Sequence, residues 1–257
     1  MVFTKDIESG LGEYIKFAQA DFSYFIHNQK RGKFCMNYWK ETKGAIIAGL
    51  MIAIGGIVNL SCIDRGYPIL GAFLFCIGLF TICAFKGNLY TGKVGLIPFA
   101  YIEDVRGQKD FSLKAKFQFS LTVFHYLIIN LITTFGIGFI VGKCYPNLAA
   151  TAIEIYLPKM GADLVKIFIS AFFCGVLMFI AVFCWNRYDI KGILLCVPTF
   201  ILSGFDHSIA NSFYNGVAYG EHTWTMENLW LTIIVILGNA AGSITFALLR
   251  KEQILNS

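Results

Sequence analysis

Charge is scarce in this sequence. Asp, Glu, Lys and Arg make up only 14% of its 257 residues, against about 25% in a soluble domain. Hydrophobic residues make up 56%, with 25 Phe and 25 Gly. That balance excludes an ordinary soluble fold and reads as a chain crossing a membrane several times. An apolar leader is also lacking. Met1–Glu8 carries acids and no h-region, so no cleavable signal peptide is expected. The eight cysteines include no CxxC pair, and most lie in apolar runs, where cysteine behaves as a small hydrophobe. Neither a metal centre, a cofactor nor a disulfide framework is expected. Cys62 and Cys144 are the one pair in loops expected on the same side. The net charge of +5 does not call for nucleic acid, because membrane proteins concentrate Lys and Arg in cytoplasmic loops.

Residues 1–43 hold no span. Phe3, Ile7, Leu11, Tyr14, Ile15 and Phe17 recur at helical spacing with Lys5, Asp6, Glu13 and Lys16 between them, which predicts an amphipathic interfacial helix. The basic run Lys30, Arg31, Lys33, Lys40 and Lys43 follows. Residues 44–249 read as an all-α membrane domain of six transmembrane helices, and 250–257 as a tail. The spans are expected at about 44–62, 69–102, 117–141, 164–185, 192–214 and 229–249. The loops on one side hold Arg65, Lys143, Lys159 and Lys166. Every other Lys and Arg outside the second span lies in 1–43, 103–116, 186–191 or the tail. That asymmetry puts both termini in the cytoplasm.

Two of these spans are interrupted. Span two breaks at Lys86-Gly87-Asn88-Leu89-Tyr90-Thr91-Gly92, and the nine residues of 94–102 are too few to cross alone. Span five breaks at Ser203-Gly204-Phe205-Asp206-His207-Ser208. With three crossings per half, these are corresponding spans of an inverted 3+3 repeat. Interruptions at matching places point to a binding site near the bilayer midplane. Irregular backbone cannot face lipid, so both breaks must line a protein cavity. Ionisable residues at that depth mark function by default. The N–H groups opening each second half-helix favour an anion. Thr91 and Ser208 add hydroxyls, and His207 can donate from one ring nitrogen while Asp206 or backbone orients the other. An exposed loop with a solvated His207 is the alternative at the second break, and a loop between separate elements the alternative at the first.

Gly204-Phe205-Asp206-His207-Ser208-Ile209-Ala210-Asn211 resembles the G-F-E-H-S-I/V-A-N signature of the formate/nitrite transporter family. Leu89-Tyr90-Thr91-Gly92 is similar to its L-F-T-G/S, and Gly238-Asn239-Ala240-Ala241-Gly242 to its last-helix G-N-x-x-G. The likeness runs from the first span to the tail. It implies a homopentamer in the bilayer, with an aquaporin-like subunit and one pore per protomer, set in a bacterial inner membrane. It implies that His207 is the central histidine and that Thr91 hydrogen-bonds it. It implies that Asn239 contributes a pore amide, that Phe75, Leu79 and Phe200 form apolar constrictions on either side of the histidine, and that Lys159 stands in the outer vestibule. Packing alone would also account for Phe75, Leu79 and Phe200. The sequence departs from the family at Lys86-Gly87-Asn88, where Gly then an acid or Ser is usual. It departs again at Cys174-Gly175-Val176, where Gly175 replaces an amide expected near the pore.

These readings give a channel for small monovalent anions of weak acids: hydrosulfide, formate or nitrite. Each becomes neutral on taking one proton, which His207 would supply or relay. The missing amide at Gly175 tilts the choice slightly toward hydrosulfide. A proton-coupled symporter, an intramembrane enzyme using His207 and Asp206, and a closed structural protein are the alternatives. An enzyme would need further intramembrane groups, and only His125 otherwise lies in a span.

Overall fold

The computed structural model describes residues 38–101, 113–188, 190–220 and 223–255. The amphipathic helix expected within 1–43 and the polar loop at 103–112 lie outside them. No strand occurs among the described residues. The helices are α1 (Tyr38–Asp64), α2 (Pro68–Leu74), α3 (Cys76–Ala84), α4 (Tyr90–Lys93), α5 (Ile97–Tyr101), α6 (Leu113–Cys144), α7 (Pro146–Met160), α8 (Leu164–Tyr188), α9 (Lys191–Leu202), α10 (Ser208–Val217) and α11 (Met226–Leu255), with a 3-10 turn at Val94–Leu96.

Four helices are long and apolar enough to cross a membrane: Tyr38–Asp64, Lys116–Cys144, Leu164–Trp185 and Met226–Arg250. With the family membership established below, they make the chain an integral membrane protein. Two further apolar stretches, Pro68–Ala84 and Lys191–Leu202, are shorter and run into the two expected breaks. The first of them tightens at Phe75, where Gly78 N donates to Phe75 O at 3.0 Å. α1 starts at Tyr38, ahead of the expected Gly44, and α11 runs into the tail. The connection at 142–163 is mostly helix, with Pro146 in the first turn of α7, where its missing N–H costs nothing. Cys62 and Cys144 are free thiols.

Both breaks are built the same way. At the end of α9, Gly204 has φ 67°. Gly204 N donates to Ile201 O at 3.0 Å and Phe205 N to Phe200 O at 2.9 Å. At the end of α3, Lys86 has φ 55°. Lys86 N donates to Cys83 O at 3.3 Å and Gly87 N to Ile82 O at 2.8 Å. Each is a left-handed C-terminal closure with paired 5→2 and 6→1 bonds. After each, one extended residue precedes the next helix: Leu89 (φ −92°, ψ 125°) before α4 and His207 (φ −104°, ψ 117°) before α10.

Small residues let the elements meet. α10 packs on α6, α11 on α8 and α1 on α6. A Cβ at Gly138 or Gly142 would strike the backbone of α10, and one at Gly216 the backbone of α6. A Cβ at Gly175 or Gly242 would strike the facing backbone between α8 and α11. In lipid, close backbone approach is what such contacts supply.

The closure at Lys86 puts a side chain where the second break uses glycine. Left-handed backbone costs a non-glycine residue roughly 1–2 kcal/mol. Lys86→Gly should therefore raise stability by about 1 kcal/mol and Gly204→Ala should lower it by a similar amount. Thermal unfolding of the detergent-solubilised protein measures both, and a lower melting point for Lys86→Gly would contradict this account of the turn.

Candidate functional site

Interrupted backbone at bilayer depth needs internal partners, and two asparagines supply them. Asn239 of α11 accepts from Ser208 N at 2.8 Å. Its amide donates to Asp206 O and Ala171 O, both at 2.8 Å. Asn130 of α6 accepts from Tyr90 N at 2.9 Å. Its amide donates to Ala45 O at 2.8 Å and Asn88 O at 3.1 Å. Each amide thus grips both sides of one extended residue, Leu89 or His207, and ties it to a long helix, α1 or α8. Both asparagines are fully buried. Sequence reasoning missed Asn130. Its signal was an amide inside Leu127-Ile128-Ile129-Asn130-Leu131-Ile132, a polar group at bilayer depth.

The two breaks meet at one hydrogen bond, Thr91 Oγ1 to His207 Nε2 at 2.9 Å. The other ring nitrogen, Nδ1, accepts from Ala210 N at 3.1 Å. An N–H donor at Nδ1 means that this nitrogen is bare, so the neutral ring carries its proton on Nε2 and gives it to Thr91 Oγ1. Thr91 is then an acceptor whose own hydroxyl proton is available. Ser208, next to His207 in the chain, has its Oγ buried and without a protein partner among the described residues. Adding a proton at Nδ1 would aim it at the Ala210 N–H, so an imidazolium requires the first turn of α10 to move.

Asp206 does not orient His207; the α10 backbone does. The carboxylate is taken up elsewhere. Lys159 Nζ lies 2.7 Å from Oδ1. Asn211 Nδ2 donates to the same oxygen at 3.0 Å, and Ser170 Oγ donates to Oδ2 at 2.7 Å. Ser170 Oγ also accepts from Asp206 N at 3.0 Å. Lys159 is therefore a paired cation that braces the second break, with its side chain 26% exposed. The expectation that the half-helix N–H groups await an anion also changes. Those of Tyr90 and Ser208 are held by the asparagines and that of Ala210 by the histidine. The Thr91 and Ser208 hydroxyls remain at the centre as donors.

Phe200 stacks on the imidazole, with ring centroids 5.7 Å apart. Phe75 meets Phe200 edge-on at 6.1 Å. Leu79 lies one turn beyond Phe75, on the same face of the apolar run. All three side chains are buried, so apolar groups surround the polar centre. Gly175 lies against the α11 backbone at Asn239, and Ser243 Oγ donates to its carbonyl at 2.9 Å. A Cβ at Gly175 would strike that backbone, so glycine is what the close approach of α8 and α11 requires. Lys86 is exposed at its turn. Among the described residues no group of three or more His, Cys, Asp or Glu side chains is arranged to hold a metal.

Two interrupted helices and two long ones clasping a buried imidazole define a membrane protein with a sheltered polar centre. A family model described as formate/nitrite transporter matches residues 25–250, and the chain belongs to that family. The family is one of transporters rather than enzymes. Among solved structures, one named "FNT family ion channel" is similar over 94% of this chain and 98% of its own, with TM-score 0.78 and 16% identity. Another, named "Pentameric formate channel with formate bound", is similar over 85% and 98%, with TM-score 0.69 and 22% identity. No curated protein matches by sequence.

Replacing Asn130 by Leu would strand the Tyr90 N–H and two carbonyls in an apolar setting. An unsatisfied buried group costs about 1–3 kcal/mol. Asn130→Leu and Asn239→Leu should each destabilise the detergent-solubilised protein by about 2 kcal/mol or more. Losses under about 0.5 kcal/mol would mean the breaks hold without the amides.

Proposed function

We propose that this chain is the subunit of a pentameric membrane channel for small monovalent anions of weak acids, with one pore per subunit. Thr91, His207 and Ser208 form its polar centre. Phe75, Leu79 and Phe200 form its apolar constriction. Asn239 holds the second break, and Lys159 with Asp206 braces it from the outer vestibule. The observation that carries the reading is the Thr91–His207 bond, which joins two helix breaks far apart in sequence inside an apolar surround.

In this reading the chain crosses six times, with spans two and five broken, as an inverted 3+3 repeat. The matched closures at Lys86 and Gly204 and the matched grips of Asn130 and Asn239 support it. The chain resides in a bacterial inner membrane with both termini in the cytoplasm, where its Lys and Arg concentrate.

A bare anion pays heavily to enter an apolar constriction; a charged group at bilayer centre costs between about 2.5 and 10 kcal/mol or more. The centre reduces that cost in two ways. Thr91 and Ser208 hydroxyls can donate to the anion. The Thr91 hydroxyl, steadied by the Nε2 proton, can pass its own proton to the anion and take one back from solution in a single exchange, which neutralises the anion and leaves the imidazole neutral throughout. Formate, nitrite and hydrosulfide all fit this chemistry, and the likeness to a formate-bound channel favours testing formate first. The same exchange would serve a proton-coupled symporter.

The test is flux of formate, nitrite and hydrosulfide into proteoliposomes across about pH 5–8, over which the supply of protons to each weak acid changes. Wild type should conduct at least one of them, faster at lower pH, and His207→Asn should flatten that dependence. Flux and pH profile both untouched by His207→Asn would remove the histidine from the mechanism.

A further inference from the structure

The two half-helices of the site are not secured alike. α10 caps itself, because His207 Nδ1 accepts from Ala210 N within its own first turn. α4 has no such device. Its N-cap is Leu89, whose side chain makes no capping bond, and it is one short turn. Yet α4 carries Thr91, the partner of the central imidazole. Something outside α4 must hold Thr91 in place.

The bonds around Asn88 show what does. Its backbone is fixed at both ends, with Asn88 N donating to Gly44 O at 3.0 Å and Asn88 O accepting from Asn130 Nδ2 at 3.1 Å. Its side chain is fixed as well. Asn88 Nδ2 donates to Glu41 Oε2 at 2.9 Å and lies 3.3 Å from Glu41 O. Tyr126 Oη donates to the same carboxylate oxygen. Glu41 thus receives two neutral donors, one from the break and one from α6, and its carboxylate pairs with no cation among the described residues. At the other break the roles are reversed. There the acid, Asp206, sits on the break, and Lys159 reaches it from the neighbouring α7. Both breaks are clamped by a side chain from outside, one through a cation and one through an anion.

We propose that Glu41, clamped by Tyr126, is the positioning residue for Thr91 and so sets how the channel selects among anions. The inference rests on the channel reading above. Glu41 does not touch the permeating anion; it acts through Asn88. Loosening it lets Leu89–Thr91 shift, and a shift on the order of 1 Å in a positioned donor can cost a hundredfold in rate. Because anions differ in size and in the donors they require, such a shift changes their relative permeabilities as well as the total flux.

The experiment measures formate, nitrite and hydrosulfide flux per reconstituted channel for Glu41→Leu, Glu41→Gln and Tyr126→Phe, each in wild-type and Thr91→Ala backgrounds. The permeability ratio is independent of how much protein inserts correctly. Glu41→Leu should lower formate flux roughly tenfold and change the formate-to-nitrite ratio at least about threefold. Glu41→Gln keeps an acceptor oxygen and should restore most of both. Tyr126→Phe should move the ratio in the same direction by less, and it carries the test if Glu41→Leu fails to assemble. In the Thr91→Ala background none of the three should add more than about a twofold change, because the group they position is gone. Equal effects in both backgrounds, or an unchanged ratio in all three, would reduce Glu41 to ordinary packing and overturn the proposal while leaving the channel reading intact. A wild-type protein that conducts none of these anions would overturn both.

Discussion

The structure depends on one constraint: a backbone that stops being helical inside lipid must find every partner within the protein. Two apolar segments stop being helical here, and each leaves an extended residue whose flanking peptide groups need partners. Asn130 and Asn239 answer the need with the same three bonds apiece. Because each amide also reaches a second long helix, closing a break and joining two helices around it are a single act. The glycine contacts follow from this. α10 can lie close enough to α6, and α8 to α11, only where no Cβ intervenes.

What the two breaks share is geometry; where they differ is chemistry. The left-handed closing residue is Gly204 in one and Lys86 in the other. The extended residue is a histidine that caps its own helix in one and a leucine in the other. The outer brace is Lys159 on Asp206, while the other clamp is Glu41 on Asn88. The imidazole sits at a helix start that caps itself as well as being braced from outside, and its hydroxyl partner sits at one with no side-chain cap of its own. An imidazole bonded at both ring nitrogens therefore faces a threonine on a helix whose N-cap makes no side-chain bond.

Much of this was legible in the sequence, for identifiable reasons. The breaks were visible because Gly87 and Gly204 and their polar neighbours interrupt apolar runs too short to cross alone. The meeting of Thr91 and His207 followed from the family likeness of their motifs. Three things were hidden. Asn130 stands alone in an apolar run, and one polar residue there gives no hint of what it bonds. Asp206 adjoins His207 in sequence, and the sequence left open whether it or the backbone orients the ring. Its carboxylate instead turns to Lys159, Ser170 and Asn211, and the α10 backbone takes the ring nitrogen. Gly175 was read as a position without its amide, and the sequence did not say that this helix face meets the α11 backbone at Asn239.

At the centre of the molecule the breaks meet through the Nε2 proton of His207 and the hydroxyl of Thr91. Imidazole 15N NMR of the reconstituted protein reads this directly. The chain has four histidines, and the loss of one signal set in His207→Asn assigns the ring. The account predicts a bare Nδ1 and a protonated Nε2, with the Nε2 resonance shifting in Thr91→Val. A proton on Nδ1, or an Nε2 resonance indifferent to Thr91→Val, would contradict it.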